Sequence, residues 1–351
     1  MNEIIRQDIE WLIENVDEKQ FDNSKILITG ASGAIARYLV HFFMQIHKSH
    51  GINCDVHALV RDSKKAENIF HDWLKEENFY LHIGNVEEND FLAKDMTYIF
   101  HAAGDSATRI CELYPVDILQ ANVIGTEGLL AASRGNNQLK KFVFFSSGAV
   151  YGDLPDVFAT VTENIYYSLN PYSMGGVYAE AKRMGELLCY SYWKQYDIST
   201  TAVRIGHSYG PGINLQSKHI YSDIVKTLLE KRNINIRDPE IMRPFTYVRD
   251  TIFGILLVAL SKNNGQAYNV WNAKGRIPVG KVVDTLFYKT FKKLNLKIYY
   301  NNMEYHYNGL YDEKKLLDVF DTKKIENLGW QAYVGIEEGF SRTVKSFELN
   351  N

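Results

Sequence analysis

The feature that most narrows the folds open to this chain is a regular exchange of two hydrophobic periods, starting at Lys25. KILITG (25–30) is an almost unbroken apolar run, and IARYLVHFFMQIHK (35–48) after it has apolar residues at helical spacing. The exchange repeats. DVHALV (55–60), NFYLHIGN (78–85), MTYIFHAAG (96–104) and KKFVFFSSG (140–148) read as further strands. A polar helical stretch at Lys64–Trp73, then VDILQANVIGTEGLLAASR (116–134) and GVYAEAKRMGELLCYSYWKQY (176–196), supply helices between or after them. Strands apolar throughout are covered on both faces, and intervening helices make their neighbours parallel. The pattern predicts an α/β fold of the doubly wound class.

TTAVRIGHSYG (200–210) reads as a sixth strand running into a loop, and beyond Pro211 the alternation loosens. We expect a helical arm over residues 1–22, packed on the outside or on a partner subunit. The sheet domain spans 23–210, with segments near 245–272 free to join it. A smaller C-terminal α/β lobe, 211–351, would sit over the carboxyl ends of the strands.

Of 351 residues, 46% are hydrophobic and 23% charged, with a formal net charge of −3. That balance offers no basic surface for nucleic acid or an anionic membrane, so neither is expected as a partner. Cys54, Cys111 and Cys189 have no metal-ligand or CxxC spacing and read as reduced thiols; no metal is expected. The acidic amphipathic start and the lack of a long apolar run lead us to expect a cytoplasmic protein.

The first strand ends in Thr29-Gly30-Ala31-Ser32-Gly33-Ala34-Ile35-Ala36. Gly30 and Gly33 allow a tight turn and close approach of a pyrophosphate to backbone N–H groups, while Ala36 lets the helix pack close to the strand. Glycines alone are weak evidence, but these end a strand and open a helix, which points to a dinucleotide. Tyr178 and Lys182 lie four apart on a helical pattern and so share a face. A lysine nearby lowers a phenol's pKa toward catalytic use, and Ser147 at the end of a strand can bond the reacting oxygen. YxxxK alone is common by chance; its order after the glycine loop and the serine gives it weight.

With these in place the chain resembles an extended short-chain dehydrogenase/reductase that works on nucleotide sugars. TGASGAIA is similar to the family's TGxxGxxG, HAAG (101–104) to HxAA, and NVIGT (122–126) to NVxGT. SSGAVYG (146–152) is similar to SSxxVYG, RPFTYVRD (243–250) to RxFxYVxD, and LGW (328–330) to the family's LGW. The helical arm resembles one in a bacterial subgroup related to UDP-glucuronate decarboxylases and nucleotide-sugar epimerases.

The resemblance implies a Rossmann sheet, a bound NAD(P), a nucleotide-diphosphate sugar as substrate and a homodimer formed through helices on the sheet's face. It makes Ser147, Tyr178 and Lys182 catalytic. Cofactor contacts fall on Gly30, Ser32, Gly33, Ala34, Ile35, Arg61, Asn85, Val86, Ala102, Ala103, Gly104 and Asn122, together with Tyr178 and Lys182. Substrate contacts fall on Ser106, Thr108, Ser147, Tyr178, His207 and Arg243. A guanidinium fork suits a diphosphate on chemical grounds also; Arg276 is a weaker second candidate, with a solvated surface charge as its plain alternative.

The chain departs from the family where Gly148 and Ala149 follow Ser147. The family's 4,6-dehydratases have an Asp–Glu pair there and decarboxylases a glutamate. Neither residue here can move a proton, which disfavours both reactions. A 4-epimerase acting by reversible hydride transfer at carbon 4 is the leading expectation. A reductase using NADPH on a 4-keto sugar is the alternative, and a non-catalytic cofactor-binding regulator a third. His207 replaces an asparagine common in the family and could donate to the diphosphate or simply pack. Asn85 stands for an aspartate on the adenine side and can still accept from adenine. At the end of the second strand Arg61 precedes Asp62, with Lys64 and Lys65 beyond. A guanidinium there pairs with a 2′-phosphate, so NADP(H) is favoured over NAD(H), unless Asp62 turns back to the ribose.

Overall fold

A computed structural model describes residues 1–105, 108–152, 160–307 and 321–349. Its centre is a seven-stranded sheet in which every neighbouring pair is parallel. The strands are β1 (Ser24–Thr29), β2 (Cys54–Val60), β3 (Phe79–Ile83), β4 (Tyr98–His101), β5 (Lys141–Ser147), β6 (Thr200–Ile205) and β10 (Gln266–Val270). They lie in the order β10-β6-β5-β4-β1-β2-β3. The direction of winding reverses between β1 and β4, and such a switch point opens a crevice at the carboxyl ends of the strands.

Alternation of side chains along the strands feeds two cores. Ile26 and Ile28 of β1, with Val56, Ala58 and Val143, pack under the helices Ala36–His50 and Val248–Leu260. Leu27 between them points the other way and joins Leu59, Ile99, Phe142 and Phe144 under the helices Gly125–Ala132 and Met174–Tyr196. Burial on both faces is why these strands carry no polar alternation.

The expected sixth strand does not run into a loop. It breaks at Gly206 and continues as β7 (His207–Tyr209) in a second sheet with β9 (Met242–Tyr247) and β11 (Arg276–Pro278), in the order β11-β9-β7. A third small sheet joins β8 (Ile234–Asn235), β12 (Ile298–Tyr300) and β13 (Met303–Glu304). Gly206 sits against the indole of Trp271, and Gly210 beyond β7 has φ +156.

The N-terminal helix, Glu3–Asn15, is seated on its own chain. Ile5, Ile9, Leu12 and Ile13 belong to the main core, so the helix closes the molecule instead of extending from it. Among the described residues no helix is long and apolar enough to cross a membrane.

Candidate active site

The crevice between β1 and β4 is built from tight backbone. Gly30 has φ +62, and a Cβ on it would lie 2.8 Å from the Ala102 carbonyl oxygen and 2.9 Å from Ala103 Cα. Only glycine fits there, and the phosphate loop is thereby pressed onto HAAG. The Thr29 hydroxyl ties the same pair, accepting from the Ala103 amide at 3.1 Å and bonding His101 Nδ1 at 2.7 Å. His101 is fully buried and reaches the Thr126 hydroxyl at 2.9 Å; burial holds its pKa down at about 3, so it is a neutral strut.

Ala36 is buried, leaving the loop's helix close to β1. Arg37, which sequence reasoning passed over, curls back to donate to the Ser32 carbonyl at 2.9 Å and the Gly33 carbonyl at 3.2 Å. Its burial lowers its pKa to about 10. Ser32, Ala34 and Ile35 are partly open on the same turn. Opposite them, a Cβ on Gly104 would meet the amide of Asn122 at 2.7 Å. Asn122 is fully buried and donates to the Ile118 carbonyl, and among the described residues its Oδ1 has no partner. A glycine cradle with an orphaned buried acceptor in its wall fits a dinucleotide. Asn85 accepts at its carbonyl from Asn89, while Val86 packs its side chain onto Gly125. At the end of β2, Arg61 is exposed and Asp62 caps the helix Ser63–Phe70, accepting from the Lys65 amide at 3.0 Å.

Beside the cradle, β5 delivers Ser147 and the helix Met174–Tyr196 delivers Tyr178 and Lys182. Ser147 lies beside Tyr178, close enough to favour its phenolate. Lys182, 3% exposed, donates to the Phe145 carbonyl at 2.6 Å and lies 5.8 Å from the centre of the Tyr178 ring. The expected lowering of the phenol is not found: burial pushes Tyr178 up to about 12, against the opposing influence of Ser147. The same burial brings Lys182 down to about 7. At both groups the loss of hydration is the largest influence.

The other wall comes from the second sheet. His207 on β7 pairs with Phe245 on β9, so His207, Phe245 and Arg243 share one face. Arg243 pairs with Ile277, whereas Arg276 pairs with Pro244 and therefore faces the other way. Among the described residues Arg243 makes no ion pair; its Nη1 donates to the Met242 carbonyl. Burial, then Arg243 and His219, hold His207 down at about 3. His219 and Tyr221, at the start of the helix Ile220–Leu229, stack at 5.0 Å, and Tyr221 lies near Tyr178. Sequence reasoning missed both, for no local motif marks them. Ser106 lies outside the described residues, as does the side chain of Thr108.

The position directly after Ser147 is shaped by Trp271. A Cβ on Gly148 would lie 2.4 Å from Trp271 Cζ2. The indole is held there by its Nε1 donating to the Arg204 carbonyl at 2.6 Å and by an edge contact with Tyr151.

The sequence profile of the NAD dependent epimerase/dehydratase family matches residues 26–273. Among curated relatives, UDP-glucuronic acid decarboxylase 6 of Arabidopsis thaliana is 26% identical over 329 residues, covering 93% of this chain and 90% of the relative. Among solved structures, UDP-N-acetylglucosamine 4-epimerase from Methanobrevibacter ruminantium superposes with a TM-score of 0.77 at 21% identity, over 94% of this chain and 100% of that one. UDP-glucuronic acid 4-epimerase from Bacillus cereus, solved with UDP-glucuronic acid and NAD, gives 0.73 at 22%, over 93% and 100%. The glycine cradle at the switch point, the Ser147–Tyr178–Lys182 wall and a profile match running through both place this chain in the NAD-dependent epimerase/dehydratase family, among the enzymes of the extended short-chain dehydrogenase/reductase type.

Proposed function

We propose that the chain is a nucleotide-sugar 4-epimerase. The observation that carries the reading is Ser147 set beside Tyr178 and Lys182, next to a Gly148 whose side-chain space is filled by Trp271. Tyr178 can take and return the proton of a sugar hydroxyl, Ser147 can hold the oxygen, and Lys182 can hold a ribose and support the phenolate. Bound NAD(P) would supply hydride acceptance and return. No acid can stand at Gly148 and none stands at Ala149, so elimination and decarboxylation lack their shuttle, although the curated relatives include decarboxylases. Arg243 and His207 face the diphosphate, with Tyr221 closing the sugar's side.

Two finer readings belong to the same proposal. Asp62 spends one carboxylate oxygen on its helix cap, which leaves Arg61 as the group toward a 2′-phosphate; NADP(H) then binds more tightly than NAD(H), and Arg61→Ala narrows the gap in fluorescence titrations. The working form is a homodimer through the helices Pro115–Leu119 and Met174–Tyr196, where Val116, Leu119, Met184 and Leu187 are exposed.

The deciding experiment is a panel of UDP-, GDP-, CDP- and dTDP-sugars, with products read by NMR and the cofactor's redox state followed. Interconversion of C4 epimers with no net consumption of reductant is expected. Stoichiometric NADPH consumption would replace the epimerase by the reductase.

A further inference from the structure

The N-terminal helix carries a feature that packing alone does not call for. Asp8 is fully buried in its apolar face. Arg342 Nη2 donates to its Oδ1 at 2.7 Å, and the hydroxyls of Tyr38 and Tyr247 donate to its Oδ2 at 3.1 and 2.8 Å. Arg342 Nε also reaches the Tyr247 hydroxyl at 3.3 Å. These donors come from three places: the phosphate-loop helix (Tyr38), the end of β9 (Tyr247) and the C-terminal helix Ile336–Glu348 (Arg342). An apolar side chain at position 8 would pack with less desolvation cost. What a buried carboxylate adds is direction, because charge-assisted hydrogen bonds fix where their donors stand.

Tyr247 matters most of the three. It lies on the same face of β9 as Arg243, four residues along, about 13 Å away at strand spacing. β7, paired with β9, carries His207 beside them. The helix is gripped at a second point by Trp11, under the Arg249 guanidinium at 4.2 Å and edge-on to Phe253 and Tyr333. Thus one carboxylate connects the helix that presents the cofactor loop to the strand that presents the substrate wall.

We propose that Asp8 is a positioning residue for the nucleotide-sugar substrate: through Tyr247 it sets β9, and with it Arg243 and His207, against the cofactor half of the molecule. This rests on Arg243 being the diphosphate ligand. The helix before the sheet domain is then part of the substrate site's construction although it touches no substrate.

Cofactor-loaded protein is titrated calorimetrically with UDP, GDP, CDP and dTDP, and the diphosphate that binds wild type is carried forward. Asp8→Asn and Tyr247→Phe should raise its Kd by about tenfold, within the coupling usual for residues of one network. Tyr38→Phe cuts the same carboxylate's link to the phosphate-loop helix, so it should raise Kd in the same direction. In an Arg243→Ala background, Asp8→Asn should cause no further loss of affinity. A helix that only stabilises the fold would lower Tm in all three variants and leave Kd alone, and that result overturns the inference. If Arg243→Ala is weakened while Asp8→Asn and Tyr247→Phe bind like wild type, the inference fails by itself. An Arg243→Ala protein that binds like wild type rejects the diphosphate reading, and the inference with it.

Discussion

The Tyr178 phenol is partly open to the crevice and the Lys182 ammonium beside it is buried, and loss of hydration moves both toward their neutral forms, Tyr178 to about 12 and Lys182 to about 7. Tyr178 is the group placed to move the sugar hydroxyl's proton, and losing its hydroxyl should cost the reaction dearly while sparing the cradle. We expect Tyr178→Phe to lose about 10²–10⁴-fold in turnover, the usual size of positioned acid–base catalysis, with cofactor affinity retained. Undiminished turnover would remove Tyr178 from the mechanism. The lysine makes a thermodynamic prediction. Unfolded, it keeps its proton up to its ordinary value near 10.5; folded, it gives the proton up near 7. Between those two values the unfolded chain binds the extra proton, so stability rises with pH, and below about 7 the folded protein bears the full cost of a buried charge. Lys182→Met should therefore raise Tm over wild type most at pH below 7, with the gain shrinking as pH climbs toward 10. A gain of the same size at pH 6 and pH 10 would show that the ammonium is better solvated than its burial indicates.

Elements explain why some of the site could be read in advance. Gly30, Gly33 and Ala36 fall where a strand becomes a helix, and Tyr178 and Lys182 fall one helical turn apart; both patterns are local, so spacing alone exposes them. The rest depends on contacts between segments distant in the chain. β7 looked like a loop because three residues carry too little pattern once Gly206 breaks the strand. Arg37, His219 and Tyr221 belong to no motif, and only the folded chain brings them to the crevice. Gly148 is the sharpest case. Its smallness reads as a missing acid, while its cause is an indole delivered by the segment after β10. Gly148→Ala should therefore lose about 1–3 kcal/mol of stability through overpacking, measured by denaturant unfolding. Trp271→Ala in that background should return part of the loss; strictly additive losses would deny the contact.

On the scale of the whole molecule, the helices Pro115–Leu119 and Met174–Tyr196 leave Val116, Leu119, Met184, Leu187 and Tyr190 in solvent on one side of the sheet. Large apolar patches of this kind mark association surfaces. Sedimentation should give a dimer at micromolar concentration, and Leu119→Glu with Leu187→Glu should give a folded monomer. A monomeric wild type would leave the patch without that purpose. The other edge of the sheet has its own consequence, in the order in which the chain is made. β10 returns to lie beside β6 only after β7, β8 and β9 have been laid down in other sheets. While the polypeptide leaves the ribosome, every segment up to β6 can be assembled with that strand's outer backbone groups still unpaired, an invitation to intermolecular pairing. The segment that caps this edge continues directly into Trp271 beside Gly148, so synthesis closes the exposed strand and finishes that wall of the crevice in the same few residues.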